Sequence, residues 1–147
     1  MTEMATQPST AAIESASSSE TSLGPNGNVI ALIAYLFSPL TGVLVYFLEQ
    51  DNEFARYHGA QSVVFGLSVI GLYVALTVVM LVLGVVAGAI PVLGVALEML
   101  LWLVSLLVSL VLWLGVFLAW LFLVFKAYQG DVVHIPVVTP VAQKYLL

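Results

Sequence analysis

Apolar residues fall into three long runs, separated by short polar or proline-bearing segments. The first run covers 28–48, close to the ~20 residues a helix needs to cross a hydrocarbon core. Ser38 and Pro39 sit in its middle. Proline removes one backbone donor and clashes one turn back, so a kink is expected there, with Ser38, Thr41 or a neighbouring helix satisfying the freed carbonyl. A polar loop over 49–61 follows, in which Asp51 or Asn52 is placed to cap the next helix. The second run, 62–90, exceeds a perpendicular span and must tilt, bend or project. Pro91, flanked by Gly88 and Gly94, predicts a turn near 89–92. The third run, 92–125, is again too long for one upright helix at ~1.5 Å per residue. Its first part, with Glu98 inside, is expected in the interface before a span over 101–125. Gly130 is a natural left-handed C-cap, and 131–147, with Pro136 and Pro140, reads as an extended or loosely docked tail.

The pattern predicts an all-α integral membrane bundle of three transmembrane helices, with four as the alternative if 61–100 splits into a tight hairpin. That split would need a turn almost without polar residues, which favours three. Residues 1–27 are rich in Ser, Thr and Ala and broken by Pro8, Gly24, Pro25 and Gly27. Such a segment buries too little to offset its ordering entropy and is expected to be a disordered tail. It lacks the basic start of a secretory signal and is expected to be retained. With three spans, Arg56, Lys126 and Lys144 share one side. The positive-inside rule makes that side cytoplasmic, with the N-terminus outside and the C-terminus inside the cell.

Composition strengthens the membrane reading. Hydrophobic residues make up 62% of the 147 positions and charged residues 7%, against roughly 45–50% and 25% in soluble domains. There is no cysteine, which excludes disulfides, thiolate metal sites and cysteine nucleophiles. The net charge of −5 offers no footprint for nucleic acid. Acid excess with scarce lysine would suit a salt-loving source.

Candidate chemistry is sparse. Glu98 is the one ionisable residue within a long apolar stretch, a position that points to a proton or ion site. The plainer account is that it marks where the chain surfaces near Pro91. The 49–58 loop gathers Glu49, Asp51, Glu53, Arg56 and His58, but the calcium-loop pattern is missing. The plainer account there is a solvated turn with acids at a helix N-terminus. Gly84 and Gly88, Ser62 and Gly66, Ser105 and Ser109, and Gly115 and Ala119 have the small-xxx-small spacing of close helix contacts. They fit packing within one bundle better than homodimerisation. Tyr46, Trp102 and Tyr128 suit the headgroup zone, while Trp113 and Trp120 suit helix or lipid packing. No phosphate loop, zinc-binding helix or nucleophile elbow appears. The expectation is a non-enzyme without cofactor or metal, whose partners are the lipid bilayer and either a second copy or another membrane protein.

Three patches carry a family resemblance. They are 35–42 (YLFSPLTG), 54–62 (FARYHGAQS) and 126–131 (KAYQGD) followed by Ile135 and Pro136. Together they resemble a widespread prokaryotic family of small multi-pass membrane proteins of unknown function. That family is similar to the chloroplast inner-envelope import component that contributes to a protein-conducting channel. The resemblance implies that Pro39, Gly42, Arg56, His58, Gln61, Ser62, Tyr128, Gly130, Asp131 and Pro136 are motif positions. It implies no catalytic residue. Arg56, His58, Gln61 and Ser62 would form one cluster facing 126–131, and a channel or translocation subunit is the alternative function.

Overall fold

The computed structural model describes residues 8–147, and every regular element among them is helical. In chain order these are α1 (Thr10–Ser15), a 3-10 turn (Ala16–Ser18), α2 (Gly27–Leu36), α3 (Leu40–Leu48), α4 (Glu53–Gly88), α5 (Gly94–Gln129) and α6 (Val138–Tyr145). The chain divides into two units, one made of 68–119 and the other of the described residues up to 67 together with 120–147.

The 68–119 unit is a pair of apolar helical stretches joined at Ala89 to Leu93. Pro91 cannot continue a helix, and the turn falls where its position predicts. It closes through Ile90 N donating to Ala87 O (3.0 Å) and Gly94 N to Ile90 O (2.9 Å). Gly94 is needed there, because a Cβ on it would lie 2.8 Å from Ala87 O. α4 and α5 each run unbroken for 36 residues, about 54 Å at the helical rise. The expected interfacial piece before residue 101 is therefore not separate. Glu98 lies in the second turn of α5, and the four-helix alternative finds no break within α4. Both helices are long and apolar enough to cross a membrane, and only 0% and 6% of their most apolar windows are buried. Core helices of a soluble protein would be largely buried; these present their leucines, valines and tryptophans outward.

In the other unit the first apolar run departs from the single kinked helix expected over 28–48. It forms two helices, of 10 and 9 residues, that double back. Ser22, just before α2, donates its backbone N (3.2 Å) and its hydroxyl (2.8 Å) to the carboxylate of Glu49, just after α3. The two ends of the run therefore meet. Ile30 and Ala34 of α2 cluster with Val45 of α3 and Ala55 of α4. Each helix rises only about 14–15 Å, half the ~30 Å of a hydrocarbon core. The reversal occurs at the cis Ser38–Pro39 peptide. Pro39 has no N–H to give the carbonyl of Tyr35 four residues back, which accepts Ser38 N (3.4 Å) and, more closely, Trp120 Nε1 of α5 (2.7 Å). Thr41 Oγ1 takes Phe37 N (3.1 Å) and donates to Ala34 O (2.9 Å). Ser38 Oγ reaches Ser62 O on α4 instead (2.6 Å). Hydroxyls and an indole thus stand in for the lost helical bonds.

Both tails are more ordered than expected. Residues 1–7 of the expected disordered tail lie outside the described residues, but from Ser9 onward the chain is docked. Ser9 caps α1 through Ala12 N (3.3 Å). Ile13 and Ala16 pack on a core of Ala31, Tyr35, Phe54, Leu123 and Ala127. Asn52 explains much of this, since its side-chain amide donates to Ala16 O (2.8 Å) and Ser19 O (3.3 Å) while its Oδ1 accepts Ala55 N (3.0 Å) to cap α4. At the other end, α6 buries Val138, Thr139 and Ala142. Pro140 does not stop it, because in the first helical turn its missing N–H has no partner to lose.

Candidate functional site

The start of α4, which takes in the second half of the expected polar loop, and the segment after α5 meet α2 and α6 around a buried polar core. His58, Gln61 and Ser62 are spaced three and four apart and so share one face of α4. All three are buried, as are Tyr35 of α2 and Thr139 of α6. The Tyr35 hydroxyl lies 2.8 Å from Gln61 Oε1 and 3.1 Å from His58 Nδ1. Gln61 Nε2 donates to Val133 O (2.8 Å) and to Thr139 Oγ1 (2.7 Å). His58 Nε2 faces the Asp131 carbonyl at 3.2 Å. Tyr57 OH also donates to Val133 O (3.2 Å), and Ile135 N to Thr139 Oγ1 (2.7 Å).

Donor counting constrains the protons. Carbonyls only accept, so the Asp131 contact requires a proton on His58 Nε2, and both Gln61 N–H groups are used. Gln61 Oε1 and a neutral His58 Nδ1 are then two acceptors facing the single proton of Tyr35. The rings enclose this centre, with Tyr57 and Tyr35 edge-on to His58 at 5.4 and 5.7 Å and Phe54 tilted at 4.5 Å. The arrangement binds four chain segments together through polar groups that have no other outlet.

The motif positions are distributed around this core. Ser62 Oγ donates to Ala34 O (2.6 Å), and Gly42 lets that contact close, since a Cβ on it would lie 2.7 Å from Ser62 Oγ. Pro39 precedes α3 at the reversal. Gly130 has φ +85 and ends α5 as a left-handed residue. Tyr128 is exposed, and its carbonyl accepts from Asn28 Nδ2 (3.0 Å). Pro136 O accepts from Val138 N at the start of α6 (2.8 Å). Asp131 offers its carbonyl to His58 and its carboxylate to Lys126 (2.8 Å). Arg56 stands apart from the expected pairing with 126–131. It lies over the Tyr46 ring at 5.4 Å to the centroid. Glu98 belongs to the other unit, where its carboxylate abuts Gly88 and lines a cleft of about 300 Å³ with Thr77, Trp102 and Ser105. Among the described residues, no group of three or more His, Asp or Glu is placed to hold a metal ion.

Asn52, one of the two residues placed to cap α4, does so, whereas the roles of Tyr35 and Thr139 and the burial of Glu49 are what pattern reading passes over. A tyrosine in an apolar run is a usable signal, because a buried hydroxyl requires a partner. Thr139 gives no comparable signal. Glu49 is fully buried and accepts Ser22 N, Ser22 Oγ, Asp51 N and Asn52 N at 2.8–3.2 Å. Burial pushes its carboxyl upward, but these hydrogen bonds outweigh burial and hold it below the usual carboxylate range. A carboxyl lowered by folding contributes stability above its unfolded value, and that contribution is lost as pH falls through the folded value. Melting in detergent should therefore shift downward as pH falls below about 4.3. Glu49→Gln should flatten that dependence and lower the melting point at neutral pH. An unchanged pH profile in the variant would remove Glu49 from the account.

The model of the magnetosome magnetite crystal formation protein family matches residues 26–142. A UPF0132 membrane protein of Methanocaldococcus jannaschii is 33% identical over 127 residues, covering 86% of this chain and 94% of the relative. A UPF0132 membrane protein of Archaeoglobus fulgidus is 28% identical over 119 residues, covering 81% and 94%. A second such protein of M. jannaschii is 25% identical over 123 residues, covering 84% and 72%. No solved structure matches the chain.

Proposed function

The chain belongs to the magnetosome magnetite crystal formation protein family and is a membrane protein, and from that premise we propose that it is a non-enzymatic membrane component whose α4–α5 hairpin crosses the bilayer twice. In this reading α2 and α3 enter and leave on one side, and both tails lie on that same side. The carrying observation is the bond between Ser22 and Glu49 at the two ends of the first apolar run. Two further links agree with it: Asn28 Nδ2 reaches Tyr128 O (3.0 Å), and Glu14 Oε1 accepts Val132 N (3.1 Å). Arg56, Lys126 and Lys144 belong to the same unit as these links, so the positive-inside rule makes the shared side cytoplasmic. This replaces an outside N-terminus with a cytoplasmic one.

Leu23→Cys and His134→Cys test the topology, since both positions are exposed. A membrane-impermeant maleimide should label both in inside-out vesicles and neither in intact cells. Labelling of the two from opposite sides would restore three spans.

The component's work is packing with itself or with another membrane protein. The outward apolar faces of α4 and α5 support this, as do Gly84 and Gly115, beside which a Cβ would meet nothing within 4 Å. The family's name concerns magnetite, and the acidic loop lends that no support because the Glu49 oxygens are occupied by N–H and O–H donors. The alternative is a channel or translocation subunit. The chloroplast likeness favours it through motif resemblance alone, and the Glu98 cleft with Thr77 and Ser105 adds an intramembrane polar feature. Liposomes carrying the purified chain should show no ion flux. Flux that Glu98→Gln abolishes would favour the channel.

A further inference from the structure

A cavity of about 270 Å³ lies in the unit that holds both tails, with Thr10, Glu53, Arg56, His134 and Gln143 among its lining residues. Arg56 Nε is buried without a hydrogen-bond partner. No hydrogen bond or ion pair to the rest of its guanidinium occurs among the described residues, where the single ion pair joins Lys126 to Asp131. The one contact described for this cation is the face of Tyr46. A half-buried guanidinium carries five donors in a planar fork suited to a tetrahedral oxyanion, and leaving its buried Nε–H unpaired is costly. Gln143 and Thr10 add neutral donors at the cavity wall, and His134 presents an exposed imidazole there. The cavity also lies at the first turn of α4, where the helix dipole favours negative charge. Ile13 and Val132 give it an apolar side.

We propose that this cavity binds a phosphate group, with Arg56 as its charge partner and Gln143 as a second donor. Glu53 shares the lining, and it suits a phosphate that carries its own amine or hydroxyl better than a bare dianion. The group has two possible sources, a phospholipid headgroup and free phosphate. The inference goes beyond the packing role above and holds for either number of spans, since every residue in it belongs to one unit.

The full chain, purified in a sugar-based detergent, tests it by native mass spectrometry with phosphatidylglycerol and by calorimetry with inorganic phosphate. Wild type should bind at least one of the two. Arg56→Gln should weaken that binding by about 10-fold or more, as expected when a charged hydrogen bond of ~1.5 kcal/mol or more is lost. Arg56→Lys should recover part of it, and Gln143→Leu should weaken it several-fold. Melting points of all three variants near wild type would show that folding is not the cause. Lipid retained against excess inorganic phosphate identifies the headgroup as the source, and displacement by phosphate identifies the free anion. Binding of neither probe by wild type would overturn the proposal. So would equal binding by wild type, Arg56→Gln and Gln143→Leu. If Arg56→Gln misfolds, Gln143→Leu alone decides: unchanged affinity counts against the site.

Discussion

Gly66→Ala is expected to destabilise the protein while Gly71→Ala, five residues along the same helix, leaves it unchanged or slightly more stable. A Cβ on Gly66 would sit 2.6 Å from Pro39 N and 2.6 Å from Ser38 Oγ, whereas a Cβ on Gly71 meets nothing within 4 Å. The atom struck at Gly66 is backbone, at the point where the α2–α3 hairpin reverses, so it cannot swing aside. Gly59, Ser62 and Gly66 form one small-residue face of α4. The hairpin lies on it, with Ser62 bonded to Ala34 O and with Gly59 so close that a Cβ on it would lie 3.0 Å from Tyr46 N. Overpacking a tight contact of this kind costs about 1–3 kcal/mol. At Gly71 the added methyl only restricts the unfolded backbone, which favours the folded state. Thermal or SDS titration of the two variants would read the contrast directly. Equal stability would mean that the hairpin does not rest on this face of α4.

That contrast also shows what pattern reading can and cannot reach. The Ser62 and Gly66 spacing is visible in the sequence, and so is its use within one chain. Pro91 and Gly130 are equally legible, because proline and left-handed glycine act locally and end a helix whatever surrounds them. The doubling back of 28–48 is not legible in the same way. A hydropathy window counts apolar residues and is blind to direction, so a 21-residue span and two short antiparallel helices look alike. Pro39 signals a break, but reversal over a kink is decided by distant partners: Trp120 on the freed Tyr35 carbonyl, Ser62 on Ala34 and Glu49 on Ser22. The tails follow the same logic. Ser and Thr around Thr10 to Ser19 are weak helix formers and the helix there is short, so its order is fixed by Asn52, 33 and 36 residues away from its two carbonyl partners. His58, Gln61 and Ser62 announce themselves as polar residues opening an apolar helix. Several of their partners are backbone carbonyls, of Asp131 and Val133 for His58 and Gln61 and of Ala34 for Ser62, which no side-chain pattern encodes.

Tyr35→Phe, which deletes one oxygen, is expected to destabilise the protein more than Gln61→Leu, which deletes a whole amide. The reason lies in what each change strands. After Gln61→Leu, Val133 O still accepts from Tyr57 OH, Thr139 Oγ1 still accepts from Ile135 N, and the Tyr35 proton turns to His58 Nδ1, 3.1 Å away. Leucine also fills nearly the same volume. The loss then approaches the net worth of ordinary hydrogen bonds, about 0.5–1.5 kcal/mol. After Tyr35→Phe, Gln61 Oε1 has no donor, and rotating the amide would only turn the oxygen toward Val133 O. His58 Nδ1 is stranded as well, because the Asp131 carbonyl holds the ring proton on Nε2. Wild type has one proton for these two acceptors, so the change removes a single donor from the buried pair, at about 1–3 kcal/mol. Denaturation of both variants in the same detergent would rank them. Gln61→Leu proving the more damaging change would mean that Tyr35 is not the shared donor and that the polar core holds its segments together by packing instead.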